Sequence, residues 1–416
     1  MYRRLSILLA VVLVIIMVTP ALAQEAATAA RAVYLPLVVG QGQSANVSEA
    51  PPAEEDLTDS LADVEAANQS NSGLVFVGTN AADPIRGNEI VMYQRAANGA
   101  LTLSGRFPTG GQGLGSGLGS QDSVILSKNG RWLFVVNAGS NEISVFAVQP
   151  VGLVLTDKIA SGGVRPTSLT VRKNRLYVLN AGDPGNITGF QLASNGKLTP
   201  LANSTRFLSN NGVGTAPAPA QVSFSPDGSV LIVTERATNL LDLYPVNQHG
   251  VAGNLTSYPS AGTTPFGFSF ADEDTLVVSE AFGGAPNASA ASSYTLANGQ
   301  LQLVSASVPT GETAACWIII SKDGKLAYTT NAGSASLSGY SVGDGGQLSL
   351  LAGRAGETGV GTGPTDASKS RNGRLFYVLS PRSQTVVAFE LKADGSLFAL
   401  GSFGGLQANA AGIAAW

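Results

Sequence analysis

The sequence predicts an all-β fold, a seven-bladed β-propeller closed by pairing of the C-terminal strand with the first blade. Three observations carry that expectation. One short phrase returns seven times along the chain. Its period averages about 50 residues, the range of propeller blades rather than helical repeats. The last residues also supply a strand that the first copy lacks.

The fullest copy is SKNGRWLFVVNAGSNEISVFAV, Ser127 to Val148. It reads as an apolar strand ending in Ser, an Asn-Gly turn, a second apolar strand closing on Asn137, a polar loop and a third strand. Further copies start at Arg172, Ser225, Ala271, Ser321 and Ser370. The first copy, GLVFVGTNAADPIRGNEIVMYQR from Gly73, begins at the second strand, and Ala410 to Trp416 match the piece it is missing. Strand-length runs of β-branched and aromatic residues are broken by Gly, Asn and Asp turn pairs, and no helical apolar period is sustained. A lone blade cannot bury both faces, so blades pack on two neighbours and ring closure protects their edges. The propeller is placed at residues 72–416.

Two segments precede it. Arg3-Arg4, an apolar run from Leu5 to Val18 and Ala21-Leu22-Ala23 read as a secretory signal peptide over residues 1–23. The run falls short of the roughly 20 residues a membrane span needs, so secretion to an extracellular, periplasmic or cell-surface location is expected. Residues 24–71 hold eight acids against Arg31 alone and read as a disordered acidic Ala/Pro-rich spacer, with one apolar patch from Val33 to Val39.

Of the chain's net charge of −4, the signal contributes +2 and the spacer −7, so the propeller sits near +1. That balance gives no electrostatic case for nucleic acid or an anionic membrane. The single Cys316 forbids an internal disulfide and sits on an apolar strand as core filler. His249, the one histidine, falls on a turn, which removes the main ingredient of a Ser-His-Asp triad or a multi-histidine zinc site. The glycine-rich run Thr109 to Gly119 lacks the Gly-Lys-Ser/Thr of a phosphate loop and reads as a blade-to-blade crossover, a candidate lid.

Blade order fixes which residues meet. Loops from second to third strands open on the same face as the crossovers between blades, here the crossover face; the remaining turns open on the turn face. The mouth of the channel on the crossover face gathers the second-strand ends Asn80, Asn137, Asn180, Glu235, Glu280, Asn331 and Ser380. The inner-strand entries Gln121, Arg165, Gln221, Phe266, Trp317 and Asp366 join them. Two carboxylates on consecutive blades interrupt amide and hydroxyl positions, with Arg236 directly after Glu235 and Arg382 beyond Ser380. Glutamates in a polar cleft can act as general bases, and arginine can hold an oxyanion or carboxylate. The competing expectation for the strand-end Asn and Ser residues is structural, since they also tie turns to backbone groups.

Gly119-Ser120-Gln121, the stretch from Leu126 to Phe146 and Thr329-Thr330-Asn331-Ala332-Gly333 together resemble the lactonase-type seven-bladed propeller family. That family includes 6-phosphogluconolactonase-like and carboxymuconate-cyclase-like proteins, and the resemblance extends over the whole propeller. It implies opening or closing of lactones of sugar acids or dicarboxylates, with no firmly assigned metal. Muconate-cyclising members use His, Glu and Arg in a central cleft. Here Glu235, Glu280, Arg236 and Arg165 fill the acidic and basic roles, while no histidine is placed to help. An exported protein is not expected to meet phosphorylated sugar lactones.

Three functions stand at this point. In a secreted lactone hydrolase, Glu235, Glu280, Arg236 and Arg165 are catalytic, and Asn137, Asn180, Gln121, Gln221, Trp317, Asn331 and Arg382 bind substrate. In a non-catalytic secreted or cell-surface propeller, the mouth holds a glycan, peptide or small molecule. In a calcium- or magnesium-dependent hydrolase, the glutamates and Asn carbonyls supply the hard oxygen ligands those ions prefer. No cofactor is otherwise expected, and no metal ligand is assigned. The expected partner is a small-molecule or carbohydrate ligand of a monomer, with no nucleic acid and no membrane span after signal cleavage.

Overall fold

The computed structural model describes residues 72–416. The signal peptide, the spacer and its apolar patch lie outside the described residues. Seven antiparallel sheets follow one another, and the inner strand of the first is the C-terminal Ile413–Ala415. The other inner strands are Val124–Leu126, Pro166–Arg172, Pro219–Phe224, Pro265–Phe270, Ala315–Ile320 and Ala367–Lys369. Among the described residues, the 3-10 turn Phe282–Gly284 is the only helical element.

Ring closure has a defined register: Val75 faces Ala415, Phe76 faces Ala414 and Val77 faces Ile413. The Trp416 N–H donates to the Leu74 carbonyl at 2.8 Å and that of Ala411 to Gly78 at 3.0 Å. Arg95 fastens the far end by donating to the Trp416 carbonyl at 3.0 Å. The tail therefore completes blade 1, whose own strands start at Gly73–Gly78.

Burial explains the composition of each strand. Second strands such as Val230–Glu235 and Leu375–Ser380 are buried at every position, because both faces meet a neighbouring blade. They read as unbroken apolar runs rather than as alternation. Seven apolar clusters occupy the seven gaps between successive blades, the last joining Leu375, Tyr377 and Leu379 of blade 7 to Val75, Val91 and Tyr93 of blade 1. An eighth, with Phe266, Trp317 and Cys316, sits on the axis side.

Polar ties repeat with the blades. Second-strand tyrosines donate to a glycine carbonyl in the third-to-fourth turn of the next blade: Tyr177 to Gly250 at 2.8 Å, Tyr328 to Gly395 at 2.6 Å and Tyr377 to Gly99 at 3.1 Å. Where the phrase ends its first strand in Ser, the hydroxyl bonds the Asn or Asp two residues on, as in Ser127–Asn129, Ser225–Asp227, Ser321–Asp323 and Ser370–Asn372. That bond folds the first-to-second turn locally. Two details differ from the repeat. Asn80 lies two residues past its strand with φ of 50°. The outer strand of blade 3 is split into Leu198–Pro200 and Arg206–Phe207, both paired with the third strand.

The Tyr377 hydroxyl bridges the closing pair of blades and is buried. Tyr377→Phe should lower unfolding free energy by about 1–2 kcal/mol, read as a lower denaturant midpoint at unchanged slope.

Candidate functional site

Four inner strands enter the channel through the same device. A residue in the left-handed region precedes a Pro or Ala: Arg165 (φ 55°), Ala218 (φ 54°), Thr264 (φ 59°) and Ala314 (φ 57°). A register shift follows in each strand. The bulge turns the next side chains toward the axis, and left-handed non-glycine residues cost about 1–2 kcal/mol each. Asn side chains hold two of these positions, Asn141 accepting from the Arg165 N–H and Asn239 from that of Thr264, both at 2.7 Å.

The entry residues form a belt across the channel. Gln121 of blade 2 donates to the Ile318 carbonyl at 3.0 Å and accepts from the Ile318 N–H at 3.1 Å, in blade 6. Gln221 accepts from the Phe268 N–H at 2.6 Å and donates to Asp122 at 2.7 Å. The Trp317 indole donates to the Ser120 carbonyl at 2.8 Å, with its ring 4.8 Å from that of Phe266. Gln121, Gln221 and Trp317 are thus brought together, and their polar atoms are used by the belt.

Arg236 lies at this belt. Its guanidinium carbon is 5.0 Å from the Phe266 ring centre, and Nε donates to the Ala218 carbonyl at 3.0 Å. Among the described residues, its two terminal nitrogens have no hydrogen-bond acceptor. Burial lowers its pKa, and the charge of Arg165 adds to that effect. Gly119 makes room for it: a Cβ there would stand 3.1 Å from a terminal nitrogen. Arg165 is exposed and donates to the Ala181 carbonyl at 2.6 Å. Arg382 is exposed over Gly363, apart from this pair.

Asn80 donates to the Ser116 and Asn409 carbonyls, while Asn137, Asn180, Asn331, Glu235 and Glu280 turn into the blades rather than the channel. Asn137 donates to Ser144 and accepts from Thr109 and Asn88. Asn180 donates to Ser161 and Asn186, and Asn331 to Ser336 and Ser338. Glu235 and Glu280 are each 0 % exposed. Glu280 accepts from the Gly262 N–H at 2.8 Å, from Ser292 at 2.5 Å and from Ser307 at 2.7 Å. Glu235 accepts from the Ser209 N–H at 3.0 Å, the Ser209 hydroxyl at 2.5 Å and Thr238 at 2.6 Å. Ser209 is half-buried and Thr238 exposed, so Glu235 stands one hydroxyl away from solvent.

Residues that sequence reasoning did not select complete the picture. Asp242, seven positions after Glu235 where Asn137 and Asn331 have Ser144 and Ser338, faces Glu235. One of its oxygens accepts from Ser257 at 2.6 Å and the other has no donor among the described residues. Burial and the Glu235 carboxylate push its pKa up to about 8. Beside the belt, Asp122 donates its N–H to Asp366 at 3.3 Å. Burial raises the pKa of Asp122 to about 6, and burial with the charge of Asp122 raises that of Asp366 further. The glycine-rich crossover is fastened rather than loose: Gly113 and Gly115 donate to the Ala81 and Asn80 carbonyls, and Leu114 to the Asn80 side chain. His249 is exposed on its turn, and burial pushes the Cys316 thiol up to about 12. Among the described residues, no group of three or more His, Cys, Asp or Glu is disposed to hold a metal ion.

Residues 86–213 and 288–405 match the family model for lactonases with a seven-bladed β-propeller. The unmatched middle carries Glu235, Arg236, Asp242 and Glu280. The periplasmic gluconolactonase of Pseudomonas aeruginosa is 18 % identical, over 83 % of this chain and 99 % of that one, with a TM-score of 0.63. A protein from Lactobacillus plantarum is 17 % identical over 83 % and 99 %, with a TM-score of 0.66. At that identity the likeness speaks for the fold. No protein of curated function matches the sequence.

Asp242 holds in the folded state a proton that the unfolded chain releases near its ordinary value of 3.8. Its contribution to stability is therefore complete below about pH 4 and is lost as pH rises toward about 8. Asp242→Asn, which keeps the acceptor for Ser257, should flatten the fall in melting temperature across that window and raise stability at its alkaline end. Melting curves from pH 4 to 8 check this.

Proposed function

Since the chain belongs to the lactonase family of seven-bladed β-propellers, we propose that it hydrolyses a small lactone at the crossover-face mouth of its channel. The observation that carries this reading is Arg236, a partly desolvated guanidinium at the mouth with two terminal nitrogens left over for an oxyanion. In that position it takes the lactone carbonyl oxygen, whose charge grows as water adds, and then the product carboxylate. Arg165 adds positive field to the same rim.

Glu235 serves as the proton acceptor through Ser209. The attacking water gives its proton to the Ser209 hydroxyl as that hydroxyl passes its own to Glu235. The carbon–oxygen bond of the ring then breaks, and the leaving oxygen recovers the proton by the same route, giving a hydroxy acid. Asp242, holding the proton of the pair, leaves Glu235 as the acceptor. Glu280, enclosed by serines and a backbone amide, is given a structural part in this scheme.

The complete enclosure of both glutamates favours one alternative, a mouth that binds an anionic ligand without turning it over. A panel of sugar and simple lactones, with and without added calcium or magnesium, separates the two. Hydrolysis should fall about 100- to 1000-fold in kcat/KM in Arg236→Ala, and at least about 100-fold in kcat in Glu235→Gln. Equal rates in wild type and both variants would overturn the assignment. Arg236-dependent binding with no turnover on any lactone would leave the binding module.

A further inference from the structure

The turn-face end of the channel carries positive charge that no ion pair among the described residues neutralises. Two adjoining hollows of about 350 Å³ and 360 Å³ share Asp122 and Ala367–Lys369 in their walls. Lys369 is half-buried, and its ammonium donates to the Ile320 carbonyl at 2.8 Å. Burial lowers its pKa. Lys128 and Arg371, from the first-to-second turns of blades 2 and 7, line the first hollow with it. The Arg371 guanidinium lies 4.0 Å from the Trp416 ring centre, also in that wall. The ion pairs among the described residues involve other cations. Among the described residues, Asp122 is the one acidic side chain lining either hollow. It is occupied by Gln221.

A desolvated ammonium with only a carbonyl for company is costly to the fold, and a cleft with low-dielectric walls concentrates its field. A ligand that brings negative charge removes that cost. The volume lies at the small end of the range for small-molecule sites, and three cations against one acidic side chain ask for more than one negative charge. We propose that this end of the channel binds a compact organic dianion, a phosphate monoester or a dicarboxylate. Lys369 is the half-buried anchor, and Lys128 and Arg371 meet the second charged group at the rim. The site lies on the turn face and stands whether or not the crossover-face mouth hydrolyses a lactone.

Titration calorimetry on the full chain with inorganic phosphate and with malonate tests it, the two probes telling phosphate from dicarboxylate recognition. At least one should bind at or below about 1 mM. Its affinity should fall at least about tenfold in Lys369→Met, and severalfold in Arg371→Gln, whose partly exposed side chain makes it the safer variant for folding. Lys322→Gln removes the same charge from an exposed turn on that face without touching the hollows, and should bind as wild type does. The proposal is overturned if neither probe binds at about 10 mM, if Lys369→Met and Arg371→Gln both bind as wild type does, or if Lys322→Gln weakens binding as much as they do.

Discussion

The three-residue ladder between Val75–Val77 and Ile413–Ala415 is the constraint on which every other contact around the axis depends. It fixes the circumference at seven blades and brings blade 7 against blade 1 through the same apolar packing used elsewhere. Asp366 adds a polar keystone, its carboxylate accepting from the Ala367 and Asp122 amides and interacting with that of Ile413, so blades 7, 2 and 1 converge on one side chain. Only with the circle shut can Gln121 reach the backbone of Ile318, 197 residues away.

Inside the blades runs a second layer of polar order. In blades 2 and 6 the end of the second strand meets a third-strand residue seven positions on, Asn137 meeting Ser144 and Asn331 meeting Ser338. Blade 4 replaces this amide–hydroxyl pair with Glu235 and Asp242, and two buried carboxyls can coexist only by sharing a proton. Blade 5 solves the problem differently, surrounding Glu280 with hydroxyls and a backbone amide. Both acids are variants of a structural position. Glu235 differs from Glu280 in that one of its hydroxyl donors, Thr238, is exposed, whereas Ser292 and Ser307 on Glu280 are buried and half-buried.

The architecture was legible in the sequence because repetition and burial write large signals. The period, the Ser-x-Asn/Asp turns and the borrowed strand from Ile413 each rest on short-range pattern. The site was only partly legible. Gln121, Gln221 and Trp317 do converge on the axis, and Arg236 does face it. Glu235, Glu280 and the strand-end asparagines share the crossover-face end but point into their own blades, a matter of side-chain direction that spacing alone does not specify. Asp122 escaped notice because it follows Gln121 with no pattern of its own, and its environment comes from Asp366 and Gln221, far away in sequence. Lys369 has no sequence pattern of its own, and the inner strand of blade 7 carries it to the channel. The family match is likewise confined to blades 1–3 and the run from late blade 5 onward, so the part that departs from the family pattern is the part that carries the mouth acids and Arg236.

The belt has a mechanical consequence. In a stacked repeat array each unit senses only its neighbours, and a disturbance fades link by link. Gln121 and Trp317 act as spokes instead, joining blades 2 and 6 through the hub. Strain introduced at Trp317 thus reaches Ser120 in a single step, bypassing the rim, and the wheel should loosen as one body rather than unravel blade by blade.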